Sequence, residues 1–182
     1  MSEQQRGRRA IETGPTGKTV AENLARLRKV RGFTTRQLSG LLERNGRPIP
    51  ASGITRMEKA ERQVTVDELV ALAVALDVSP VTLLLPANAR GGKDVNGIPE
   101  EARTEVTGAG EVGVVSAWRW AWCQDTLQPN DPDVGEEEAE RRELDFLLNS
   151  RPIGLLSAQG DDRIMSAALG SRRRRSDGPS VD

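Results

Sequence analysis

Two helix-start devices of the same design constrain this chain more than anything else in it. Thr34 is followed three residues later by Gln37, with Phe33 and Leu38 flanking the pair; Thr65 and Glu68, flanked by Val64 and Leu69, repeat the arrangement. In such a box the Thr hydroxyl accepts the backbone N–H of the third helical residue. The Gln or Glu side chain reaches back to the Thr N–H, and the flanking apolar pair sets the angle at which the chain enters the helix. Two helix N-termini are therefore predicted at Thr34 and Thr65. Leu38, Leu41 and Leu42 form the inner face of one helix, and Leu69, Leu72, Ala73 and Leu76 that of the other.

Other helices fit around these two. Val20, Leu24, Leu27 and Val30 recur at helical spacing and predict a first helix from Val20 to Val30, stopped by Gly32. The Thr34 helix is expected to end near Arg44-Asn45-Gly46, and Arg47-Pro48-Ile49-Pro50 reads as a stiff turn with Ile49 plugged into the core. A third helix starts at Pro50 or Ala51, where a missing N–H costs nothing. Ile54 and Met57 face inward on it, leaving Ala51, Ser52, Thr55, Arg56 and Lys59 outside. The Thr65 helix ends at Asp77. A short fifth helix is capped by Ser79, opens with Pro80, docks through Val81, Leu83, Leu84 and Leu85, and stops at Pro86. The expected fold class is all-α, a five-helix bundle over residues 18–86 behind a flexible arm over residues 1–17.

Beyond Pro86 the periodicity stops. Residues 87–113 hold six glycines, so 87–115 is expected to be a linker. All three Trp follow, at Trp118, Trp120 and Trp122. Two readings fit them: a strand with the indoles on one face, or a short helix capped by Ser116 with Trp118 and Trp122 together. Either surface suits a dimer patch or a dock for the bundle; a stacking platform for bases suits it less, because the local charge is not basic. Residues 128–135 read as a second linker. Glu136 to Asn149 is predicted to be a helix with an acidic first turn, bounded by Pro152. Residues 116–150 thus form a short Trp-bearing segment and an acidic helix, and 151–182 a disordered tail. The run Arg172 to Arg175 in that tail reads as solvated charge or as a non-specific DNA contact.

Composition enters where function classes must be excluded. Hydrophobic residues make up 36% and aromatic ones 3%, enough for one small core and not for a large one. Net charge is −1, but residues 1–92 carry 15 Lys+Arg against 9 Asp+Glu (+6) and residues 93–182 carry 11 against 18 (−7). A basic half beside an acidic half suits a nucleic-acid binder with a separate partner segment. The single Cys123 and the absence of His leave no internal disulfide, no zinc ligand set and no catalytic constellation, so neither enzyme nor metal nor cofactor is expected. Gly14-Pro15-Thr16-Gly17-Lys18-Thr19 looks like the end of a phosphate-binding loop, but position 12 is Glu where that loop needs Gly, and no buried strand precedes it. The first residues have no apolar run for secretion and the chain none for a membrane span, so the expected location is cytoplasmic.

The stretch from Asn23 to Leu85 resembles the DNA-binding domain of the Xre/Cro-type helix-turn-helix repressors, whose bundle is called lambda-repressor-like. The likeness lies in Leu24-x-x-Leu27-Arg28, Gly32-Phe33-Thr34, Gln37-Leu38, Ile54-Thr55-Arg56-Met57-Glu58 with Arg62, and Leu69-x-x-Leu72-Ala73-x-Ala75-Leu76-x-Val78-Ser79. The long turn also resembles regulators common in high-GC actinomycetes. The resemblance implies a homodimeric regulator, most simply a repressor, bound to double-stranded DNA at the nucleoid with helix 51–59 in the major groove. Ala51, Ser52, Thr55 and Arg56 would meet base edges, and Thr35, Arg44, Arg47, Lys59 and Arg62 phosphates. Arg28 and Glu58 would form a structural ion pair. The turn is about five residues longer than the family's, and Lys59-Ala60 stands where the family carries Gly. An alternative function is an antitoxin-like or complex-forming module whose 116–150 segment binds a protein.

Overall fold

The computed structural model describes residues 13–93, 99–127 and 135–152. Most of the expected arm, residues 94–98 of the first expected linker, all of the second but Gly135, and the tail with Arg172–Arg175 lie outside the described residues. Two compact units divide the chain after Val115.

In the first unit, α1 (Pro15–Val30), α2 (Thr35–Arg44), α3 (Ala51–Glu58), α4 (Val66–Leu76) and α5 (Pro80–Leu84) surround one core. Leu24, Leu38, Leu42, Ile54, Met57, Leu72, Leu76 and Leu83 are fully buried in it, with Ile49 inserted from the α2–α3 turn. Both capping boxes are formed: Thr34 Oγ1 accepts from the Gln37 N–H while Gln37 Oε1 accepts from the Thr34 N–H, and Thr65 and Glu68 do the same. Asn23, buried inside α1, donates to the carbonyls of Leu83 (3.2 Å) and Leu85 (2.7 Å) and so fastens α5.

The helix ends share one solution. After α1, α2 and α3 the N–H of the second residue beyond the cap bonds three residues deep into the helix: Phe33 to Arg28 O, Arg47 to Leu42 O, Glu61 to Arg56 O. This closure needs a left-handed residue in the middle. Gly32 (φ 70°) and Gly46 (φ 81°) supply it after α1 and α2, but after α3 the residue is Ala60, at φ 57°. An Ala held there loses about 1–2 kcal/mol to the clash of its Cβ with the carbonyl oxygen. Ala60→Gly is therefore expected to raise stability by about 0.5–1 kcal/mol, after the extra freedom Gly gains in the unfolded chain is subtracted. Chemical denaturation with an unchanged m-value would show it.

The expected all-α class does not hold. Residues 87–115, expected as linker, carry two antiparallel hairpins: β1 (Arg90–Lys93) with β2 (Pro99–Glu101), and β3 (Arg103–Val106) with β4 (Gly110–Gly113). Among the described glycines of this stretch, Gly108 lies in the β3–β4 turn, and Gly91, Gly92, Gly110 and Gly113 lie in strands. Gly108 (φ 87°) and Gly110 (φ 73°) bend the chain so that Val106 pairs with Gly110 and Arg103 with Gly113. Gly91 lets two backbones approach, since a Cβ there would lie 2.3 Å from the carbonyl oxygen of Glu100. The start of α1 also differs, at Pro15 and not Val20. Gly14, its cap, offers no side chain, and the N–H of Thr16 is met instead by the Thr107 hydroxyl (3.4 Å) from the β3–β4 turn. The Thr107 N–H in return donates to Thr16 Oγ1 (3.0 Å).

Beyond the hairpins stand two further helices, α6 (Val114–Ala121) and α7 (Glu136–Ser150), the second over nearly the span expected for the acidic helix, Glu136 to Asn149. The Trp segment is thus helical, and its first turn is met by the Glu101 carboxylate, which accepts the Val115 N–H at 2.8 Å. In the second unit the Trp118 and Trp122 rings lie 5.2 Å apart, tilted by 51°. Arg151 at the end of α7 donates to the Cys123 carbonyl, and the Cys123 thiol to the Ser150 carbonyl. Among the described residues no helix is long and apolar enough to cross a membrane.

Candidate nucleic-acid interface

Helices α2 and α3 and the turn between them hold most of the residues expected to touch DNA. The turn is fixed from within the protein: Ser39 Oγ donates to the Ile49 carbonyl (2.6 Å), Ile49 is buried, and Gly46 closes α2. The inner face of α3 is anchored by Ile54 and Met57, both at 0% exposure. Its position at the C-terminal end is set by Glu58, whose carboxylate grips the Arg28 guanidinium at 2.5 and 2.9 Å while Arg28 also donates to the Phe33 carbonyl (2.8 Å). The pair is mostly withdrawn from water, with side chains 14% and 11% exposed. One guanidinium therefore ties α1, the α1–α2 turn and α3 together.

What α3 presents outward is small and polar. Ser52, Arg56 and Lys59 are exposed, and Ala51 and Thr55 half-buried. Thr55 Oγ1 donates to the Ala51 carbonyl (3.0 Å). The Arg56 and Lys59 charges have no ion-pair partner among the described residues. Thr35 is half-buried at the start of α2, and Arg44 is exposed in its last turn. Arg47 is exposed in the long turn, 3.8 Å from Asp67.

Arg62 is placed differently from the expected phosphate contact. Its guanidinium lies 2.5 Å from Glu68 Oε1, and the Glu68 side chain is 8% exposed. Burial pushes the Glu68 carboxyl up, but the Thr65 N–H, the Arg62 guanidinium and the Thr65 hydroxyl together outweigh it, and the group sits below the ordinary carboxylate range. Folding is thus favoured by ionised Glu68. The contribution is complete above the unfolded value near 4.5 and is lost as pH falls through the lower folded value. Urea titrations between pH 7 and 3 are expected to show this acid loss in the native sequence and a flatter profile in Glu68→Gln.

Two cations escaped the sequence reading. Arg31 donates to the Leu76 (2.9 Å) and Asp77 (2.9 Å) carbonyls, neutralising the carbonyl end of α4. Arg36 is exposed in the first turn of α2, with no ion-pair partner among the described residues. A cation there opposes the helix dipole by about 0.3–1 kcal/mol, and that mismatch was visible in the sequence as a residue of the wrong sign just after Thr34-Thr35. Chemically, the surface offers a small-residue helix face with a guanidinium in its last turn, and exposed Lys59, Arg36 and Arg44 on the same pair of helices and their ends. Among the described residues no cluster of acidic, Cys or His side chains is placed to hold a metal ion. Comparison with family models, with curated proteins and with solved structures returns no match for this chain.

Proposed function

We propose that this chain is a sequence-specific regulator of transcription that binds double-stranded DNA as a homodimer at the nucleoid, with α3 in the major groove. The observation that carries the reading is the division of α3 into two faces. Ile54 and Met57 are wholly buried, Glu58 is pinned by Arg28, and Ser52, Arg56 and Lys59 stand in solvent with no competing partner for the two charges. A reading helix needs this combination of rigid mounting and free side chains. Arg56 suits a two-bond contact to guanine, Ser52 a single bond to several bases, and the Thr55 and Ala51 methyls the methyl of thymine. Thr35, Arg36, Arg44, Arg47 and Lys59 suit the phosphates, which fix register without reading sequence. Arg62 is assigned to holding Glu68 and the start of α4. Occupancy of a site overlapping a promoter would repress.

A different observation favours a second reading. Trp122 (56% exposed) and Trp120 (37%) stand in water on the α6 segment. Exposed indoles are common anchors of protein interfaces, so this segment suits a protein partner of an antitoxin-like or complex-forming module.

Gel-shift assays on genomic fragments, including the chain's own upstream region, test the first reading. With four cationic phosphate contacts per protomer, log K is expected to fall with log salt at a slope of roughly −3 to −4 per protomer bound. Absence of any retarded species at low salt would overturn it.

A further inference from the structure

A cavity of about 320 Å³ opens in the first unit where the starts of α1 and α4 meet the β3–β4 turn. That volume lies at the lower end of the roughly 300–1,000 Å³ typical of small-molecule sites. Its walls are mainly aliphatic, from Val20, Val64, Leu69 and Leu84 with the exposed Val66. Gly14 and Gly17 line it without adding a side chain to fill it. Among these walls stand the hydroxyls of Thr16, Thr65 and Thr107. Each hydroxyl oxygen already accepts a backbone N–H: Thr16 from Thr107, Thr65 from Glu68, and Thr107 from Thr16. None of the three donates its own proton to another described residue. A hydroxyl carries one proton that turns to meet an acceptor, so what this cavity has left to offer is donors.

We propose that the cavity binds a small monocarboxylate with an apolar body, its carboxylate on the threonine hydroxyls and its body against the valine and leucine walls. The walls select the body, and the unspent protons select an acceptor. The charge of that acceptor follows from what surrounds it. Arg62 is the one charged side chain among the described lining residues, and Glu68, which holds it, lies outside the lining and is 8% exposed. Both α1 and α4 bring their first turns to the cavity, and the positive end of each helix dipole favours an anion there. A neutral acceptor would use the hydroxyls but draw nothing from the helix ends, and an ammonium group would be opposed by them. The inference is independent of the preceding reading, since the site needs no DNA.

Titration of the ¹⁵N-labelled full chain with benzoate and with 3-methylbutanoate, in the absence of DNA, is the test. The amides of Thr16, Gly17, Thr65, Val66 and Thr107 are expected to shift together, with a dissociation constant of roughly a millimolar for ligands of this size. Benzamide should bind roughly tenfold more weakly, because it loses the charge-assisted bonds, and benzylamine should leave these amides unmoved. Val66→Glu sets a carboxylate at the site and is expected to weaken benzoate by roughly tenfold or more. The exposed first position of a helix tolerates Glu well, so the fold is kept. Val66→Gln alters the same side chain without the charge and should stay within about threefold of the native affinity. Either carboxylate moving these amides, with the amine inert and Val66→Glu weakened, supports the proposal. It is overturned if neither carboxylate moves them at tens of millimolar, if benzylamine moves them equally, or if Val66→Gln and Val66→Glu lose affinity alike.

Discussion

Glu58→Ala is expected to destabilise the first unit by about 3–5 kcal/mol, because it leaves the Arg28 guanidinium mostly buried with no counter-charge. The side chains of the pair are 14% and 11% exposed, so water can reach the abandoned cation only by opening the packing between α1 and α3. Arg28 keeps its bond to the Phe33 carbonyl, which holds it in place and prevents escape to solvent. The cost is one of stranding and not the net worth of the pair. The double substitution Arg28→Met with Glu58→Leu is accordingly expected to recover most of the loss, since apolar side chains of similar volume need no counter-charge there. Urea denaturation of the two single variants and the double variant completes the cycle. If the double variant were as unstable as Glu58→Ala alone, packing and not electrostatics would be the cause.

Arg56→Ala should cut affinity for the preferred DNA site by about 1–3 kcal/mol, or roughly 5- to 150-fold, and relax selectivity at one base pair. Stability should stay within about 0.5 kcal/mol, since Arg56 is exposed and holds nothing in the fold. Arg56→Lys separates reading from charge: it keeps the cation but not the planar fork, so non-specific affinity survives and selectivity does not. Lys59→Ala gives the contrast, weakening all sequences alike and lowering the salt slope by roughly 1. Equal loss on all sequences from Arg56→Ala would remove Arg56 from base reading and make it a phosphate contact.

The helices of the first unit were legible where their signals are local. Thr34 with Gln37 and Thr65 with Glu68 place helix starts within four residues of sequence, and α2 and α4 begin where they say. The start of α1 was not legible, because its remote cap, Thr107, is brought in only by the folded chain. The hairpins were hidden for a related reason. Of β3, only Val106 is buried, so no alternating apolar pattern announced a strand, and glycines that set turns look the same in sequence as glycines that loosen a linker. At the candidate interface, the outward set on α3 follows from the spacing of Ile54 and Met57. The commitment of Arg62 to Glu68 does not follow from spacing, since it depends on how the chain turns between α3 and α4. The Arg28–Glu58 pair joins residues thirty apart and came into view only through the family likeness.

The reciprocal bonds between Thr16 and Thr107 reach across most of the first unit's sequence, and this shapes the order of events when the chain is made. Residues 15–85 emerge from a ribosome before the residue that completes the first turn of α1 has been synthesised. Their own contacts, up to the Asn23 bonds to Leu83 and Leu85, lie wholly within that stretch, while the hydroxyl that meets the Thr16 N–H arrives only with the β3–β4 hairpin. The last piece of the unit to be translated thus closes the first, so a chain cut before residue 107 would lack the Thr107 cap on the opening turn of α1.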